Sequence, residues 1–131
     1  MKEYLIRLLL SGLAVFAPIK GVLITTGILI FIDLISGVIA AKKRGENISS
    51  AKLRNTVTKC LIYQTAILSG FLVETYMLSG VLPVSKLVAG VIGVTETKSV
   101  FENFDAILGQ NLFKALVEKL GSSNLPPKDP Q

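Results

Sequence analysis

Residues 21–41, GVLITTGILIFIDLISGVIAA, form a run of 21 residues with one charged side chain, Asp33. As a helix rising about 1.5 Å per residue the run is roughly 30 Å long, the thickness of a bilayer's hydrocarbon core. Lys42, Lys43 and Arg44 close it at once. The whole chain of 131 residues is 50% hydrophobic and 18% charged. Average soluble domains are roughly 25% charged, so this chain has too little polar surface to coat a globule. Lipid is the expected solvent, and the expected class is an all-α integral membrane protein.

Three further apolar stretches accompany this one. Residues 4–17 (YLIRLLLSGLAVFA) are short for a span and carry Arg7. A short membrane helix, an interfacial helix and a signal peptide compete here. Pro18, directly after the small residue Ala17, disfavours cleavage, so a membrane helix is expected. Residues 60–80 (CLIYQTAILSGFLVETYMLSG) match the length of the 21–41 run and carry Gln64 and Glu74. Residues 81–97 begin VLP, include Lys86, and follow only a short Ser79-Gly80 break, which implies a tight hairpin. Three to four transmembrane helices are therefore expected within a membrane domain over residues 1–97.

The net charge of +5 is concentrated rather than spread. Lys42, Lys43, Arg44, Lys52, Arg54 and Lys59, opposed only by Glu46, account for all of it. A basic cluster between two apolar blocks is what the positive-inside rule places in the cytoplasm. Residues 42–59 thus read as a basic cytoplasmic loop holding a short helix capped by Ser49 or Ser50, against anionic lipid. No aromatic residue is interleaved for base stacking, so nucleic acid is not an expected partner. With this loop inside, both termini are cytoplasmic if residues 4–17 span.

Beyond residue 97 the pattern becomes amphipathic. Val100, Phe101, Phe104, Ile107 and Leu108 share one helical face, and Leu112, Phe113, Leu116, Val117 and Leu120 another, with a break at Gly109. Their mixed charges favour protein contact, including self-association, over a lipid surface. These helices make up a module over residues 98–120, and the proline-rich residues 121–131 read as a flexible tail.

Several classes of chemistry are excluded by what is missing. The chain has no histidine, no tryptophan and one cysteine, Cys60. His-based acid–base catalysis, Ser-His-Asp and Cys-His pairs, disulfides and Cys/His zinc sites all fall away. No enzyme, cofactor or metal site is expected. What remains is intramembrane polarity: Asp33, Gln64, Glu74 and Lys86. An ionised carboxylate at a span's centre costs at least about 2.5–3.5 kcal/mol, so it faces water, a partner helix or an ion pair. These residues either line an oligomeric pore or pair within one subunit, Asp33 or Glu74 with Lys86. Small residues supply close-approach faces: Ser36, Gly37, Ala40 and Ala41 on one helix, and Ser85, Ala89 and Gly93 on another. Such faces serve packing within a protomer as well as between protomers.

Two segments together resemble the phage holin family that includes toxin-secretion holins. The first is Asp33-Leu34-Ile35-Ser36-Gly37-Val38-Ile39-Ala40-Ala41 leading into Lys42-Lys43, then Ser50, Lys52 and Lys59. The second is Glu96-Thr97-Lys98-Ser99-Val100-Phe101-Glu102-Asn103, followed by Gly109. The resemblance implies a protein that oligomerises in the host's cytoplasmic membrane and opens lesions for an endolysin or a toxin. Asp33 and the Ser36/Gly37/Ala40/Ala41 face would set helix association. Glu96, Ser99, Glu102 and Asn103 would cap and orient the C-terminal helix pair. A static membrane or virion channel component and a small ion-coupled transporter subunit are the alternative readings.

Overall fold

The computed structural model describes residues 1–122. They form five helices: α1 Lys2–Ala14, α2 Lys20–Lys43, α3 Ser50–Tyr76, α4 Val84–Leu108 and α5 Leu112–Ser122. A 3-10 turn, Ala17–Ile19, joins α1 to α2. Among the described residues there is no strand. Gly121 and Ser122 belong to α5, and the rest of the expected tail lies outside the described residues.

Helix ends follow local chemistry. After Arg44, Gly45 takes φ +73°, and the Gly45 and Glu46 amides donate to Lys42 O and Ala41 O. This is the Schellman arrangement, which uses a left-handed residue to satisfy the last carbonyls. Gly109 ends α4 in the same left-handed region, and the Asp105 carboxylate then accepts the Leu112 amide at the start of α5.

Two expected boundaries are corrected. The basic stretch 42–59 is not a loop with its own short helix, because α3 starts at Ser50 and runs unbroken to Tyr76. No glycine or proline lies between residues 50 and 69 to stop it. Ser49 stands at the N-cap, but neither it nor Ser50 makes a side-chain capping bond. Likewise the apolar stretch 84–97 and the amphipathic stretch 98–108 are one helix, α4, with no breaker between Gly93 and Gly109.

α2, α3 and α4 form an antiparallel bundle. Gly93 approaches Leu29 and Asn103 approaches Gly37, so α2 and α4 run parallel over their length. Gln64 reaches Leu23, and Glu74 reaches Ser85, so α3 runs against both. One half of the bundle is apolar, with Ile19, Ile67, Phe71 and Ile92 buried among Phe16, Leu23 and Val88. Phe16 and Phe71 stack obliquely, 6.1 Å between ring centres. The outside of α2 is a sheath of exposed Ile24, Ile28, Phe31, Ile35 and Ile39.

That sheath inverts the usual order of a water-soluble domain, since Glu96 is 1% exposed while Phe31 is 60% exposed. An apolar α2 surface over a buried polar cluster fits lipid as solvent on that face. Two segments are long and apolar enough to cross a membrane, residues Ala17–Lys43 and Ser50–Tyr76. Only 22% and 17% of their apolar windows are buried, unlike core helices of a soluble protein. α4 is 25 residues long but carries Lys86, Glu96, Lys98, Glu102 and Asp105. Of the three to four spans expected, hydropathy thus carries two.

Candidate functional site

The polar half of the bundle is built around Asp33, in the middle of α2. Its Oδ2 accepts from Lys59 Nζ of α3 at 2.8 Å, and the same ammonium donates to Glu96 Oε2 of α4 at 2.7 Å. Ser99 Oγ and Asn103 Nδ2, both from α4, donate to Asp33 Oδ1 at 2.5 and 3.1 Å. Asn103 also donates to Ser36 Oγ at 3.0 Å, and Ser36 Oγ donates to the Asp33 carbonyl oxygen. Tyr63, one turn beyond Lys59, lies beside Glu96.

All three helices are thus tied at one level by two carboxylates sharing one ammonium. The side chains of Asp33 and Glu96 are 15% and 2% exposed, and that of Lys59 28%. With all three ionised the unit carries one net negative charge. Its donors offset the cost of removing these charges from water, since a buried ion is tolerated only when paired and hydrogen-bonded. A cleft of about 130 Å³ opens on the cluster, lined by Asp33, Leu34, Gly37, Lys52, Thr56, Ser99 and Asn103.

The C-terminal motif has a different role from the expected one. Glu96, Ser99 and Asn103 do not cap a helix pair. Their i, i+3, i+7 spacing places them on one face of α4, aimed at Asp33 and Lys59. Glu102 falls off that face and, among the described residues, forms an exposed pair with Lys98 at 3.6 Å. Gly109 supplies the left-handed end of α4.

Lys59, not Lys86, is the cation that Asp33 pairs with. Lys59 was expected among the surface basic residues and is instead the cation inside the cluster. Lys86, for which pore lining and pairing with Asp33 or Glu74 were both open, is exposed: it forms no ion pair within 4 Å among the described residues and acts on Glu74 only at longer range. The reason is topological: the antiparallel crossing of α2 and α3 brings Lys59 to the level of Asp33, while Lys86 starts α4 at the opposite end.

Glu74 serves that opposite end. Its Oε2 accepts the Ser85 amide at 3.0 Å and the Ser85 hydroxyl at 2.7 Å. This satisfies a free N–H of the first turn of α4, which Pro83 at the N-cap leaves uncapped. Gln64 donates to Leu23 O at 3.1 Å and Thr26 Oγ1 at 3.3 Å, while its buried Oε1 has no partner among the described residues.

Of the remaining basic residues, Lys42, Arg44, Lys52 and Arg54 are exposed. Arg44 pairs with Glu46 at 2.6 Å, and that hydrogen bond holds the Glu46 carboxyl below its ordinary range. Lys43 Nζ donates to the Ile107 carbonyl oxygen, tying the end of α2 to the last turn of α4.

The small-residue faces pack within the chain. Ser36, Gly37, Ala40 and Ala41 are buried, and a Cβ on Gly37 would stand 3.4 Å from Asn103 Nδ2. Ser85 is buried against Gly70, where a Cβ would meet Ser85 backbone at 3.3 Å. Ala89 and Gly93 are half-buried, Gly93 opposite Leu29. No group of His, Cys, Asp and Glu among the described residues is placed to hold a metal ion.

Sequence reasoning missed that the two motif segments bind each other through Lys59. The usable signal was the spacing of Glu96, Ser99 and Asn103, which makes one polar stripe on α4 to match the isolated Asp33. A family model described as the bacteriophage holin family matches residues 12–123, which include every member of the cluster. No curated protein and no solved structure matches the chain.

Proposed function

The chain belongs to the bacteriophage holin family, and from that premise we propose that it self-associates in a bacterial host's cytoplasmic membrane and opens lesions that release a lytic enzyme or a toxin. The observation that carries this reading is the polar cluster of Asp33, Lys59, Glu96, Ser99 and Asn103, held between three helices and sheathed on the α2 side by exposed Ile28, Phe31, Ile35 and Ile39. In the single bundle these groups satisfy one another and present little polarity to lipid. When bundles associate and their helices separate, the same groups face a water-filled lumen, where hydration replaces the mutual pairing. The exposed Lys42, Arg44, Lys52 and Arg54 hold the α2–α3 turn on the cytoplasmic side. The protein itself performs no covalent chemistry in this reading.

The test is induced expression in a bacterial host, alone and with a cytosolic muralytic enzyme, following membrane potential and turbidity. Abrupt depolarisation, with lysis only when the enzyme is present, is the expected result. A polarised, growing culture with the protein in its membrane fraction overturns the reading in favour of a static channel component.

A further inference from the structure

The helix that the bundle does not use is α1. Every residue of Met1–Val15 is exposed, including Leu5, Ile6, Leu8, Leu9, Leu10 and Leu13. At 13 residues α1 is about 20 Å long, well short of the roughly 30 Å of a hydrocarbon core. Its residues are not evenly mixed. At about 100° per residue, Glu3, Arg7, Ser11 and the phenol of Tyr4 share an arc of roughly 100°, and the leucines and Ile6 fill the rest.

Position adds a second constraint. α1 ends at Ala14, and the Ala17–Ile19 turn with Pro18 delivers the chain into α2, whose apolar span starts there. The C-terminal end of α1 is therefore held at the level of a bilayer boundary. A helix too short to cross, tethered at that level, with a wide apolar face and a narrow charged one, matches the geometry of an interfacial helix.

We propose that α1 lies in the plane of the lipid interface, at the face of the membrane opposite the α2–α3 turn. Leu5, Leu9 and Leu13 point into the acyl region, and Glu3, Arg7 and Ser11 face water. Lys2, at the helix end, reaches the headgroups by its flexible stem. The occupant of the apolar face is lipid, not a second protein chain, and the N-terminus lies on the side away from Asn47. On this proposal residues 4–17 do not span.

Single cysteines in a Cys60→Ser background test it, with Asn47→Cys marking the α2–α3 turn. The full chain in sealed vesicles is treated with a membrane-impermeant maleimide from either side. Glu3→Cys and Ser11→Cys are expected to react from the side opposite Asn47→Cys. Leu5→Cys and Leu9→Cys are expected to react at least tenfold more slowly from both sides. A bilayer-permeant fluorophore on either leucine position should be quenched by lipids carrying a nitroxide near the headgroup. Reaction of Glu3→Cys from the Asn47 side means that α1 spans, and overturns the proposal. Equal reaction of Ser11→Cys and Leu9→Cys also overturns it, as does a shielded Leu9→Cys that lipid nitroxides do not quench, which would point to protein. None of these readouts depends on lesion formation.

Discussion

Lys59 is the cation on which Asp33 and Glu96 both depend, because two carboxylates are satisfied by its one ammonium. Lys59→Met leaves Asp33 and Glu96 facing each other without a counter-ion. Removing one partner of a buried pair costs about 3–5 kcal/mol, and with Lys59 28% exposed the lower end applies. Denaturant unfolding in detergent, followed by circular dichroism, should show that loss, while Lys86→Met should stay within about 0.5 kcal/mol. Equal effects of the two substitutions would contradict the cluster. Gly37 is decided by space rather than charge. Gly37→Leu has to displace Asn103 from Asp33 and Ser36, so it should destabilise by about 1–3 kcal/mol, the usual range for overpacking. Retained stability on thermal unfolding would show that α2 and α4 have slack there.

At the scale of the elements, helix continuity and helix capping divide the work. α3 and α4 run longer than their apolar stretches because no proline and no left-handed glycine falls inside them, and each carries charged residues into the bundle on the same rod as its leucines. Glu74 acts across the α3–α4 turn, in which Ser79 and Gly80 take positive φ. Glu74→Ala removes the acceptor for the Ser85 amide and hydroxyl, with an expected cost of about 1 kcal/mol, the usual value of a lost N-terminal cap. Amide exchange is the measurement, and faster exchange confined to the first turn of α4 is the expected pattern. Uniform loss of protection would place Glu74 in the bundle's core stability instead.

For the whole molecule, the proposed orientation in the membrane rests on the charge at the turn between the two apolar helices. Replacing Lys42, Lys43 and Arg44 by glutamate removes the positive end of α2 and should give a mixture of both orientations. Maleimide labelling of Asn47→Cys from each side of sealed vesicles reads this directly. Labelling from one side alone, unchanged, would show that Lys52 and Arg54 hold the topology by themselves.

Much of the architecture was legible without coordinates, because a bilayer imposes its constraint locally. A run such as 21–41 has only one way to satisfy its backbone in lipid, and the basic block after it has only one cheap side. The apolar segments, the helical class and the break at Gly109 could be read residue by residue. The partner of Asp33 could not. Lys59 and Lys86 are equally plausible cations in a linear chain, and the choice depends on which turn of α3 crosses which turn of α2. Nor could the sequence tell whether the Ser36–Ala41 and Ser85–Gly93 faces pack within a chain or between chains. That α4 brings Glu96, Ser99 and Asn103 to the centre of the bundle was decided by tertiary packing. A buried charge finds its partner through the bundle's three-dimensional register, which no local pattern encodes.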